Sequence, residues 1–288
     1  MKMNLSSIIL WASLLLPIQG QLPAFDKAPL LGLFAIHEHE DFTLQINEDA
    51  EITIQPKIGR KGETAAYYQI NQKLEFREVM KNGRMRKHLI LPESLTTKDE
   101  KSTKFSHVTM EGEAAGKIKF RYTITNKRGE LTLQPEILNM DELADRKIQM
   151  VIQTRMGARY RLLETLKGKA KEQTIKNIAD TTVTFHPAKN SKTKKSLITY
   201  AEILNQDAAT KINGDEGFQK IITQGYFVHR KMCNFTLESQ GPNASLLLEH
   251  LGRGKDMPLY RSHAFQWLVD ATGKPEKKHL LRIELERD

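Results

Sequence analysis

The chain has 288 residues, a formal net charge of +9 and a single cysteine. One cysteine excludes an internal disulfide framework, so folding must rest on packing alone. After Ile18 no apolar run approaches the roughly eighteen residues of a membrane-spanning helix, which excludes a helical span in that part of the chain.

Lys2, the apolar run Leu5 to Ile18 and then Gln19-Gly20 have the order of a secretory signal peptide. At ~1.5 Å per residue that run reaches only ~21 Å, short of a ~30 Å hydrocarbon core. Residues 1–20 are therefore expected to be cleaved, leaving a periplasmic or extracellular chain from about Gln21. Its length permits two domains, a β domain over 21–140 and a β-rich domain over 141–288, divided where Asn139 caps a single predicted helical turn.

Alternation of apolar and polar residues predicts strands throughout. Phe42–Ile46 and Glu51–Gln55 read as one hairpin about Asn47–Ala50, and Lys73–Met80 and Arg84–Leu91 as another about Asn82-Gly83. Ile118, Phe120, Tyr122 and Ile124 at period two, with Leu131 and Leu133 returning after Asn126–Gly129, predict a third. The run from Gly112 to Gly129, with Tyr122-Thr-Ile-Thr-Asn126 before a glycine turn, resembles paired strands of bacterial immunoglobulin-like domains. Ser196–Ala208 shows helical spacing after a serine and is expected as an amphipathic helix. Gly225–Glu238 reads as two strands, Ala244–His250 as helix or strand, and Phe265–Asp270 with His279–Glu286 as a closing hairpin. The class predicted is mainly β: antiparallel hairpins in sandwich-like domains, the immunoglobulin-like arrangement among them, with one or two short helices.

One strand pattern recurs. Glu51-Ile-Thr-Ile-Gln-Pro56 returns as Glu130-Leu-Thr-Leu-Gln-Pro135 and, more loosely, as Thr182-Val-Thr-Phe-His-Pro187. Duplication and convergence on a strand-and-turn composition both produce it, and proline is expected to end the ladder of each copy.

Charge is concentrated. Residues 146–195 hold thirteen Lys or Arg against Glu164, Glu172 and Asp180. Such a segment attracts polyanions through summed field and counterion release: acidic polysaccharide or another envelope component, a lipid headgroup surface, or nucleic acid. Its candidate contacts are Arg155, Arg159, Arg161, Lys167, Lys169 and Lys171, the three arginines sharing a face if that stretch is extended. The alternative is a solvated face that serves solubility.

His37 and His39 are the candidate metal pair, being two apart on a strand beside Glu38, Glu40 and Asp41, but no third ligand stands at diagnostic spacing. Cys233 reads as a small buried apolar residue, with His229 at a spacing that serves only a helix. Ser191-Lys-Thr-Lys194 matches Ser-x-x-Lys but lies in a lysine run without a partner motif. No cofactor motif occurs, and dispersed carboxylates of a hydrolase leave no local signature. The leading expectation is an exported, non-enzymatic β-rich binding or structural module. Polyanion binding through 146–195 and a metal-dependent or carboxylate-based hydrolase are the alternatives.

Overall fold

The computed structural model describes residues 33–39, 42–47, 49–58, 63–64, 68–97, 105–158, 167–179, 182–188, 195–199, 212–213, 217–228, 231–250, 263–271 and 279–287. The expected signal segment, Arg159, Arg161, Ser191, Lys194 and His229 lie outside them, as does the side chain of Cys233.

Strands dominate, in two antiparallel sheets. The first begins with β1 (Leu33–Glu38), β2 (Phe42–Asn47), β3 (Ile52–Ile58), the short β4 (Glu63–Thr64), β5 (Tyr68–Val79) and β6 (Met85–His88). The second begins with β7 (Thr96–Thr97), β8 (His107–Ala114), β9 (Ile118–Lys127) and β10 (Glu130–Ile137). β11 (Lys147–Ala158) returns to the first sheet and is followed by helix α1 (Gly168–Ala179). β12 (Thr182–His186), β13 (Ser196–Thr199), β14 (Lys220–Val228) and β15 (Lys231–Gln240) extend the second sheet. β16 (Ala244–His250) and β17 (His263–Asp270) complete the first, and β18 (Leu280–Arg287) the second. Each sheet has nine strands, so one alone matches the strand count of a whole immunoglobulin variable domain, and the sandwich is larger than that resemblance implies.

The inward faces carry the alternating apolar residues. Leu74 and Phe76 of β5 lie in register with Ile152 and Met150 of β11, and those with Trp267 and Val269 of β17. Opposite them stand Phe120, Ile124, Leu131, Leu133, Leu281 and Ile283, all fully buried. Phe76 and Phe120 meet across the sandwich with ring centroids 5.2 Å apart. Burial of such a side chain contributes about 1.5–3 kcal/mol, which is what holds the layers without a disulfide. The sheets also join through backbone at two seams, Ile90 with Ala114 and Phe218 with Leu246.

Asn139 does precede a single turn, the 3-10 turn Met140–Leu143, but its side chain serves β9 rather than a cap: Oδ1 accepts from the Lys119 backbone N–H at 2.9 Å. The division at 140 does not separate two cores. β5 pairs with β11 over twelve residues, β10 pairs with β18, and one hydrophobic cluster includes residues from both halves.

Three local expectations are corrected. Ser196–Thr199 is the edge strand β13, paired with β12, rather than the start of a helix. There Ile198 and Thr199 are β-branched and lie opposite Val183 and Thr182, while Leu197 points to solvent. β17 and β18 do not form a hairpin. Each is an inner strand of a different sheet, β17 between β11 and β16, β18 between β15 and β10. Proline ends the third repeated strand, since β12 stops at His186 before Pro187, but it does not end the other two. β10 continues to Ile137 along β9, while its pairing with β18 stops at Leu133; β3 likewise pairs with β2 to Pro56 but with β5 only to Ile54. The missing N–H thus ends the ladder on one side only, a geometry common to both copies.

Candidate functional site

β5 is long enough to serve three partners. β11 runs along one side of it, while on the other β3 takes Ile70–Gln72 and β6 takes Phe76–Val79. β6 pairs with β5 alone, so the β5–β6 hairpin forms a free edge. Its tip is tight: Gly83 N–H donates to Met80 O at 2.8 Å, Met80 N–H to Arg84 O at 2.8 Å, and Asn82 Oδ1 accepts from Arg84 N–H at 3.0 Å. Gly83 adopts φ +77°, the left-handed conformation for which Asn-Gly is favoured at a strand reversal.

Lys81, Arg84, Arg86 and Lys87 project from this hairpin, all exposed, with no carboxylate between Lys81 and Leu91 in the sequence. Among the described residues Lys81, Arg84 and Arg86 have no ion-pair partner, and Lys87 reaches Glu75 at 3.6 Å while staying half exposed. The contrast with the outer face of the second sheet is sharp. There Arg121 is held by Glu111 and Glu136, and Arg282 by Glu130, Glu238 and Glu284. Cations matched in this way have little field left for a ligand; those of the hairpin are available.

Beneath the hairpin sits an ion-pair cluster that fixes it to the second sheet. Arg146 donates from Nε to Glu78 Oε1 at 3.0 Å, from Nη2 to Glu78 Oε2 at 2.8 Å and from Nη1 to Gly116 O at 2.8 Å. The His88 ring nitrogen Nε2 lies 2.9 Å from Glu78 Oε2. Gly116 is required by this approach, since a Cβ there would lie 2.8 Å from the His88 ring. The Arg146 hydrogen bonds, aided by His88, hold the Glu78 carboxyl down at about 2 from an ordinary 4.5. A carboxyl lowered on folding adds stability that is complete above its ordinary value and lost as pH falls through the folded one. The melting temperature should therefore fall on acidification from about pH 4.5 toward pH 2, and Glu78→Gln should flatten that part of the curve; a curve identical to wild type would remove Glu78 from the account.

A second polar group lies on the outward face of the first sheet, yet buried. Arg77 donates to Glu75 Oε1 at 2.5 Å, to Gln266 Oε1 at 3.1 Å and to Glu249 Oε2 at 3.4 Å, and Gln153 Nε2 donates to both carboxylates at 3.2 Å. Its carboxylates are matched to a guanidinium, which makes this a tie across β5, β11, β17 and β16.

Those residues singled out by sequence that are described are dispersed. Arg155 is exposed on β11, donates to Gln153 Oε1 at 2.8 Å and lies in the field of Glu51. Lys167 precedes α1, and Lys169 and Lys171 fall in its first turns, so 167–171 does not continue a strand stripe. Lys169 and Lys176 share a face two turns apart and are exposed; Lys171 points elsewhere. His37 and His39 stack with ring centroids 6.3 Å apart, His37 edge-on to Phe105 and His39 over Phe42 at 4.6 Å. Among the described residues no group of three or more His, Cys, Asp or Glu forms a metal site. The basic hairpin, which charge counting over fifty residues passes over, has a local signal: four cations in seven residues about an Asn-Gly turn.

No known protein family matches the chain, and no curated protein does. Among solved structures it is similar to the Slr1438 protein from Synechocystis sp. PCC 6803, at 6% identity and a TM-score of 0.43, over 92% of this chain and 98% of that one.

Proposed function

We propose that the protein is an exported, non-enzymatic binding module whose ligand is a polyanion, contacted by the β5–β6 hairpin. The observation that carries this reading is the set of exposed cations Lys81, Arg84, Arg86 and Lys87 on a rigid two-stranded edge with no neutralising carboxylate at its tip. Rigidity matters because it leaves little ordering cost when the anion binds. Export is supported by the N-terminal order of residues 1–20. A second contact on 146–195 is favoured by one observation, the exposed lysines Lys169 and Lys176 on a single face of α1.

Heparin serves as the test polyanion. Each neutralised anion releases a condensed counterion, so the logarithm of affinity falls linearly with the logarithm of salt. Charge reversal at Arg84 and Arg86 removes two contacts, and the slope should flatten by about two. The fold should persist, since exposed charges contribute about 1 kcal/mol or less. A slope that ignores Arg84→Glu/Arg86→Glu but responds to Lys169→Glu/Lys176→Glu would move the site to α1. No binding at low salt would leave both as solvated faces.

A further inference from the structure

The hairpin carries more than charge. Four large apolar side chains are exposed among the described residues, Met85, Leu89, Leu138 and Leu197, and the first two lie on the same strand as the cations. Met85 is 47% and Leu89 59% exposed. They are four residues apart in an extended segment, since Leu89 O accepts from Ala115 N–H and Ile90 bridges Ala114 beyond the end of β6. Alternation therefore places Met85, Lys87 and Leu89 on one face, apolar, cationic, apolar, over about 13 Å at ~3.3 Å per residue. Arg84 and Arg86 occupy the other face, where Arg86 lies opposite Glu78, a carboxylate already bound by Arg146.

A soluble acidic polymer has use for the cations and none for Met85 and Leu89. An anionic bilayer surface has use for both, because headgroup phosphates attract lysine and arginine while the acyl boundary accepts short apolar side chains. β6 suits that role: from Met85 to His88 it is free of pairing beyond β5, and only from Leu89 on is the segment tied to the second sheet, so it can approach a plane without rearranging the sheet. The acidic residues nearest in sequence to the anchoring Arg146 are Asp141, Glu142 and Asp145, on the 3-10 turn and its exit. That neighbourhood is mixed in charge, which centres the contact on the hairpin.

We infer that the β5–β6 hairpin docks on the surface of an anionic phospholipid bilayer through the face of Met85, Lys87 and Leu89, with Lys87 and Lys81 of the tip on the headgroups and Met85 and Leu89 dipping toward the acyl boundary. This rests on the polyanion reading and names its source. Lipid headgroups are the partner, and heparin is a mimic that engages the cations alone.

The test uses the full chain from Gln21, sedimented with vesicles of phosphatidylglycerol mixed with phosphatidylcholine, or of phosphatidylcholine alone. Binding is expected to the first and not the second. Each cation at such a surface contributes about a fivefold gain in partitioning, so Lys81→Glu/Lys87→Glu should abolish sedimentation. Met85→Ser/Leu89→Ser should lower partitioning by about tenfold while leaving heparin affinity within about twofold of wild type. Both pairs are on the surface, and unchanged circular dichroism establishes that each variant is folded. Wild-type protein that ignores phosphatidylglycerol vesicles yet binds heparin would overturn the lipid assignment and leave the polyanion reading standing. Failure on both probes would overturn the two together. A serine pair that sediments like wild type would also overturn it, by showing that the apolar side chains stay out of the bilayer.

Discussion

Arg77→Ala should lower the free energy of unfolding by about 3–5 kcal/mol, the largest loss expected of any charged residue among those described. The side chain is 8% exposed and its partner Glu75 5%, so the substitution leaves a carboxylate in a site from which water is excluded. Glu75 would keep Gln153 at 3.2 Å and Lys87 at 3.6 Å, but Lys87 is half in solvent and cannot supply a guanidinium's paired donors. Gln266 and Glu249 lose a donor in the same step. The cost is that of breaking the pair and does not measure the pair's net contribution, because removing both charges removes both desolvation costs. Glu75→Leu/Arg77→Met should accordingly lie within about 1 kcal/mol of wild type, giving a coupling of about 2 kcal/mol or more in the double-mutant cycle. Urea titration of the four proteins measures this, provided the slope with denaturant stays constant. A single alanine variant that costs less than about 1 kcal/mol would mean that the outward face of the first sheet is wetter than its burial implies.

That cluster also shows where sequence reading stops. A strand with one wet face is recognised by alternation, and Leu74 and Phe76 alternate well enough to place β5 although Val79 breaks the period. Nothing in that pattern says that the other face, carrying Glu75 and Arg77, is buried too, because coverage comes from elsewhere in the chain. The hairpins about Asn47–Ala50, Asn82-Gly83 and Asn126–Gly129 were legible for a related reason: both strands and the turn are contiguous, so the register is written locally. The pairing of β5 with β11 carries no such mark, and neither does the assignment of β17 and β18 to different sheets, since two alternating runs beside a turn are equally compatible with either arrangement. The helix expected over Ser196–Ala208 failed in its first turn, because Ser196–Thr199 satisfy period 2 and period 3.6 alike and the edge of β12 decides between them; 200–208 lie outside the described residues. As to the candidate site, charge excess is visible at any scale chosen, whereas solvent exposure and lack of a partner are properties of the folded surface, and those separate Arg84 and Arg86 from the matched Arg121 and Arg282.

Trp267→Ala should cost a further 3–5 kcal/mol by an unrelated route. Trp267 is fully buried on β17, in register with Ile152 of β11 and Leu246 of β16, and its indole Nε1 donates across the sandwich to Ser239 Oγ on β15 at 2.9 Å. Truncation leaves a void between Ile152 and Leu246, held open by the paired strands on either side, and it strands a buried hydroxyl without its donor. Trp267→Phe separates the two losses: it retains most of the ring and removes only the N–H, so about 1–2 kcal/mol should remain. A chain expressed from Gln21 lacks Trp11 and keeps Trp267 as its one tryptophan, so intrinsic fluorescence reports on this contact directly. Its emission should be blue-shifted in the native protein and should move red in a single transition together with far-ultraviolet circular dichroism, because the indole bonds one sheet to the other. Fluorescence that changes well before the strand signal would show that the two sheets part before either unfolds.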